Sequence, residues 1–216
     1  MTLCNKPQTN QTVEQLLREW ETSLSPELTA KLTLLHERRA FMSAVCKGAA
    51  VISVLPIMAA LQGCENKTTI EQLQQQPWIT FAAVQQQLFP ADGNGPSARD
   101  LNAVHYLKFV LEATDTDPDD KQFLLDGIKW LDGVADAQHG QHFSKLNPLQ
   151  QQQVVEKVAG SEAGGRWLSH LLLYIFEALL ADPVYGGNPQ GVGWQWLEHQ
   201  PGFPQPPRNK RYPELG

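Results

Sequence analysis

From Trp167 to Leu180 the chain is apolar on nearly every side of a helix: Trp167, Leu168, Leu171, Leu172, Leu173, Ile175, Phe176, Leu179 and Leu180 leave no polar face. A helix that is apolar all round is expected to be buried all round. At about 1.5 Å per residue it falls short of a bilayer core of roughly 30 Å, and it carries His170 and Glu177. It therefore reads as the central helix of a bundle.

The segments around it are helices with marked stops. Trp78 to Phe89 places Trp78, Phe81, Val84 or Gln85, and Leu88 at helical spacing and ends at Pro90. Ala91-Asp92-Gly93-Asn94-Gly95-Pro96 is a loop. Ser97, with Asp100 three residues on, predicts a capped helix carrying Leu101, Val104, Leu107 or Lys108, and Leu111. Asp117-Pro118 starts the next, with Asp as cap and Pro at the first helical position; its stripe is Leu124, Gly127, Ile128, Leu131, Val134 and Ala135. Asn147-Pro148 repeats the signal for a helix to about Ala159. No segment alternates with period two. The predicted class is all-α, a small helical bundle with a long irregular Pro/Gly/aromatic C-terminal tail.

That tail, from Asp182 onward, is too rich in proline and glycine for regular structure. Tyr185, Trp194, Trp196 and Phe203 each carry some 150–250 Å² of surface that is costly to leave in water. Either the bundle itself or a partner subunit must cover them, and aromatics concentrate at interface cores. The candidate interface residues are Tyr185, Asn188, Trp194, Trp196 and Phe203.

The N-terminal part is organised as an address. Arg38-Arg39-Ala40-Phe41 precedes an apolar run from Gly48 to Leu61, which leads into Leu61-Gln62-Gly63-Cys64. The run has the length of a signal-peptide core. The arginine pair with Phe41 resembles a twin-arginine export signal, a route for proteins that are already folded. Leu61 to Cys64 resembles a lipobox, whose cysteine carries lipid after cleavage. Glu37, Met42 and Lys47 depart from the usual pattern. An alternative reading is an amphipathic helix (Val13, Leu16, Leu17, Trp20, then Leu28, Leu32, Leu35) ending in a basic turn, followed by an ordinary buried helix. The expected organisation is an extended N-terminal region (1–37), a twin-arginine type signal with lipobox (38–64), a polar tether (65–77), a helical domain (78–181) and an irregular tail (182–216).

Composition narrows the chemistry. The net charge is -6 and no basic block follows the leader, which argues against nucleic acid. There are 3 cysteines, Cys4, Cys46 and Cys64; cleavage before Cys64 would leave one, and no internal disulfide could form. The same count argues against an iron–sulfur cluster or a Cys-x-x-Cys-His haem site held by this chain. Gly186-Gly187-Asn188-Pro189-Gln190-Gly191-Val192-Gly193 lacks the preceding strand and following helix that a dinucleotide loop needs. His139 and His142 stand at a helix end, where imidazole interacts well with the dipole, and a metal would want a third ligand. His170 suits a core hydrogen bond. Asp115, Asp117, Asp119 and Asp120 lack the glycine and glutamate of a calcium loop and suit caps instead.

A family resemblance emerges from Leu88-Phe89-Pro90, the Gly/Pro loop, Asp132 with Ala135, and Phe143 with Leu146. Its specific part is Asp182-Pro183-x-Tyr185-Gly186-Gly187-Asn188 with Gly191-Val192-Gly193-Trp194 and Pro201-Gly202. The chain resembles, over roughly Trp78 to Phe203, the small subunit of membrane-associated gluconate 2-dehydrogenase and of related fructose and glucose dehydrogenases. The resemblance implies a chain with no catalytic, cofactor or metal site of its own. It also implies a flavin-containing catalytic subunit and a multi-haem cytochrome c subunit as partners, bearing FAD and haem c. Export through the twin-arginine machinery by Arg38, Arg39 and Phe41 would bring the complex to the periplasm, membrane-associated and lipid-anchored through Cys64. An unrelated exported lipoprotein acting as a structural or binding module is the alternative; a stand-alone enzyme is the third class, and no catalytic constellation supports it.

Overall fold

The computed structural model describes residues 11–24 and 75–207, and all regular structure among them is helical. Helix α1 (Val13–Ser23) opens on a capping box: Gln15 N donates to Thr12 Oγ1 at 3.3 Å and Thr12 N to Gln15 Oε1 at 2.9 Å. Helix α2 (Trp78–Leu88) stops at Phe89, ahead of Pro90. The helix expected from Ser97 begins later. Ser97 N and Oγ do bond Asp100 Oδ2, at 2.8 and 2.7 Å, but they close an isolated turn. Asn102 then takes φ 51, and α3 (Ala103–Glu112) starts only after it. The cap was legible, while the left-handed residue that ends its turn was not.

The next starts match their signals. Asp117 Oδ1 accepts from Asp119 N at 2.9 Å at the head of α4 (Pro118–His139), which ends on Gly140 at φ 70. Asn147 and Gln150 form a capping box on α5 (Pro148–Ala159). Ser161 Oγ accepts from Gly164 N at 3.1 Å, starting α6 (Glu162–Leu180) a turn before Trp167. The tail is not wholly irregular: it forms single 3-10 turns at Pro183–Tyr185 and Pro189–Gly191 and a short helix α7 (Val192–Trp196).

Helix α6 packs against every other described helix, as its composition predicts. Trp167 is fully buried in its first half, with Nε1 donating to Leu124 O at 3.1 Å. Its ring lies on Gly127 of α4, where an added Cβ would stand 1.9 Å from the indole nitrogen. The whole predicted stripe of α4, Leu124 to Ala135, is buried. At about 25 cal/mol per Å², a tryptophan burying some 200 Å² contributes roughly 5 kcal/mol before entropy is subtracted.

Two expectations change. Leu17 and Trp20 of α1 join the core, with Trp20 only 1% exposed, so the helical body draws on the region read as a separate N-terminal extension. And α6 is not buried on every side. Its neighbours close around Leu171, Tyr174, Ile175 and Ala178, while Leu173, Phe176 and Leu180 on the far side are 37%, 39% and 52% exposed. Leu28, Leu32, Leu35, Arg38, Arg39, Phe41, Cys64 and most of the tether lie outside the described residues.

Candidate partner interface

The last carbonyls of a helix have no partner within it, and the tail supplies partners for those of α6. Trp194 Nε1 donates to Leu180 O at 2.8 Å and Asn188 Nδ2 to Ala181 O at 3.0 Å. Asn188 N donates to Leu101 O at 2.8 Å, and Asn188 Oδ1 accepts from Gly193 N at 2.7 Å. One asparagine thus ties the helix end, the loop before α3 and the start of α7 together. Gly193 sits so close that a Cβ would stand 2.2 Å from Leu179 O. Upstream, Asp182 Oδ1 accepts from Val184 N at 2.9 Å, shaping the first turn. The glycine-rich motif is a clamp on the end of α6.

This divides the five candidate interface residues. Asn188 is fully buried and Trp194 is 8% exposed, so the chain's own bundle, one of the two covers considered for the tail, takes up both. Tyr185 is half-buried, its ring 5.4 Å from Phe109. Trp196 at 42% and Phe203 at 97% exposure face solvent.

Trp196 belongs to a larger apolar face. Its ring lies on Gly95, where a Cβ would come within 2.4 Å, and its Nε1 donates to Asn94 O at 2.7 Å. The Gly/Pro loop therefore holds it. Phe89 meets Trp196 at 6.3 Å and Phe176 at 6.2 Å, both edge-on. Phe89 thereby links the tail to the outward stripe of α6. Leu180, at the end of that stripe, borders a cleft of about 780 Å³ whose lining includes Tyr106, Asp120, Tyr174, Glu177 and Tyr185. There Tyr106 Oη donates to Glu177 Oε2 at 3.1 Å. Burial pushes the Glu177 carboxyl above its usual range, partly opposed by that hydrogen bond, and raises the Tyr106 and Tyr174 phenols.

Several polar residues singled out in the sequence are used by the fold itself. Asp132 Oδ1 accepts from Phe143 N at 2.9 Å while Oδ2 lies 3.3 Å from His142 Nδ1. That arrangement anchors the buried Phe143 and Leu146 beneath the turn at Phe143–Lys145. Asp117 is a cap, and Asp119 and Asp120 stand in the first turn of α4. Among the described residues no three His, Cys, Asp or Glu side chains converge on a metal position, and no helix is long and apolar enough to cross a membrane.

The sequence model of a family described as Gluconate 2-dehydrogenase subunit 3 matches residues 75–202, well over half of the chain. The chain belongs to this family. The family's description makes its members one subunit of a multisubunit gluconate dehydrogenase. The match opens at the turn before α2 and closes beyond the clamp, so α1 stands outside it. No curated protein sequence and no solved structure matches the chain.

Leu173, Phe176, Leu180 and Phe89 were not singled out from the sequence as surface residues. The signal was present: Leu173, Phe176 and Leu180 repeat at i, i+3 and i+7, opposite a complete inner stripe. A helix with two complete stripes has two surfaces to cover.

Proposed function

We propose that this subunit is the non-catalytic small subunit of a periplasmic flavin-dependent sugar or sugar-acid dehydrogenase. It would dock on the flavin-containing catalytic chain through the face formed by Phe176, Leu173, Leu180, Phe89 and Trp196. FAD and haem c would sit on the catalytic and cytochrome subunits. The observation that carries this reading is the apolar stripe on the helix at the centre of the bundle, continued by aromatics that the family motif holds in place. Contiguous apolar faces of this kind mark interaction sites, and anchors of this kind typically cost ~2 kcal/mol or more when truncated. Arg38, Arg39 and Phe41 would take the folded complex through the twin-arginine machinery, and Cys64 would anchor it to the membrane. The small subunit then aids export, maturation and stability of the flavoprotein.

The test is co-purification of the flavin subunit with wild-type chain and with Phe176→Asp plus Trp196→Ala. Both side chains are exposed, so the helical circular dichroism should persist while the recovered flavin falls at least tenfold. Equal recovery from the variant would remove this face from the interface. Wild-type chain that retrieves no flavoprotein from its native membranes would overturn the subunit reading itself.

A further inference from the structure

Helix α1 lies upstream of the arginine pair and of Cys64, yet it is seated in the core built by the helices downstream of both. Trp20 stacks on Trp130 of α4 at 6.3 Å and 7°, and meets Trp167 of α6 edge-on at 5.9 Å. Leu17 is buried beside it; Val13, Leu16 and Leu24 are half-buried against the same cluster. The floor of the seat is smoothed by Gly133, where an added Cβ would only touch the Leu16 methyls at 3.8 Å.

The rim is polar and specific. Lys157 Nζ donates to Glu14 Oε1 at 3.0 Å. Glu162 N, a first-turn donor of α6 with no helical acceptor, donates to Glu21 Oε1 at 3.0 Å. So α1 completes the N-terminal capping of the central helix. The helix brings its own capping box, but at 11 residues it is too short to be stable alone in water. Its helicity depends on the seat.

We propose that the face of α4 and α6 around Trp130 and Trp167 is a helix-binding groove with residues 12–24 as its resident. A cut between residues 25 and 74 then leaves α1 in place as a separate, non-covalently held peptide. Resting on the export reading, hydrolysis of the Gly63–Cys64 peptide bond yields a two-piece protein and not a shortened one. Loss of α1 would bare Trp130 and Trp167 and take away the partner of Glu162 N.

The test needs no assumption about export. A protease site inserted between residues 66 and 74 of the full chain is cut in the purified protein, followed by gel filtration and mass spectrometry. The N-terminal peptide is expected to co-elute with the body at 1:1. Trp20→Ala should weaken its retention about a hundredfold, whereas Glu14→Gln, which removes an exposed ion pair, should change it less than about fivefold. Departure of the wild-type peptide, whether or not the body stays folded, overturns the groove. In chain taken from native membranes and shown by its mass to be cut between residues 25 and 74, tryptic peptides 19–31 and 122–129 should be recovered in equal molar amount. Absence of 19–31 from a chain recovered folded overturns retention in the cell. Neither arm involves a flavoprotein, so failure of the subunit reading is distinguishable from failure here.

Discussion

Two glycines on one helix should respond to the same substitution with opposite signs. Replacing a mid-helix glycine by alanine ordinarily stabilises by about 1 kcal/mol. At Gly133 nothing opposes that gain, since the new Cβ meets only Leu16 methyls at 3.8 Å. At Gly127 the new Cβ would stand 1.9 Å from Trp167 Nε1 and 2.3 Å from Cδ1. The indole cannot slide away freely, because it is fully buried, bonded to Leu124 O and packed against Trp20. Overpacking costs about 1–3 kcal/mol, and a buried indole donor that loses its acceptor adds about 1–3 kcal/mol. Against the helix gain, Gly127→Ala should destabilise by about 3 kcal/mol, and Gly133→Ala should stabilise by about 0.5–1 kcal/mol. For a body of this size each kcal/mol moves the melting temperature by roughly 2–4 °C. Thermal melts followed at 222 nm should therefore show a fall of about 6–12 °C for the first and a rise of about 1–4 °C for the second. Equal shifts, or a neutral Gly127→Ala, would refute the placement of Trp167 on α4 and, with it, the aromatic seat of α1.

Arg38→Lys with Arg39→Lys should hold this chain and its flavoprotein in the cytoplasm; fractionation that finds normal periplasmic activity would remove the arginine pair from the export reading. Cys64→Ala should abolish labelling with palmitate, and unchanged labelling would exclude this cysteine as the lipid site. The Glu177 carboxyl is raised in the folded state, so it binds its proton more tightly folded than unfolded; the stability this gives is full below the unfolded pKa and is lost as pH rises through the folded one. Glu177→Gln, which keeps an acceptor for Tyr106, should flatten that fall across the mildly acidic range; unchanged pH dependence of the denaturation midpoint would contradict the burial of Glu177.

Helices with start signals at their first residue were readable in place: Asp117-Pro118 and Asn147-Pro148 each opened a helix where expected. The Ser97 signal was read correctly as chemistry and wrongly as geometry, because Asn102 at φ 51 ends the turn it caps. Asn visits that region at little cost through local bonding, and a single sequence does not say when it does. The site divided along a similar line. Burial of Trp194 depends on one carbonyl, Leu180 O, which is an orphan only because α6 ends there. No periodicity carries that information, and the aromatic content of the tail alone does not separate the buried Trp194 from the exposed Trp196 and Phe203. The seating of α1 was least legible. Its stripe was visible, but the intervening signal-like segment suggested that the two sides belonged to different fates.

The clamp buries Asn188 within the chain's own fold, yet on the proposed function its loss should be felt in docking of the flavoprotein. Ordering a residue costs roughly 1–2 kcal/mol, and binding is weakened when that cost is deferred to the moment of association. Here the free subunit meets it through Asn188, which bonds Ala181 O, Leu101 O and Gly193 N. Asn188→Ala leaves Ala181 O without its donor and Gly193 N without its acceptor, at about 1–3 kcal/mol each when buried, and puts a Cβ residue without side-chain hydrogen bonding at φ 49. Asn188→Gly removes the same side-chain bonds but tolerates the backbone angle, so the difference between the two variants isolates strain. Both should make residues 190–207 accessible to limited proteolysis at temperatures where α4 and α6 are still folded, and both should lower flavoprotein recovery although Trp196 and Phe203 are intact. If the tail stays protected in Asn188→Ala, the clamp is not what orders it. If the tail opens and recovery is unchanged, Trp196 and Phe203 need no prior positioning and the interface lies on the α6 stripe alone.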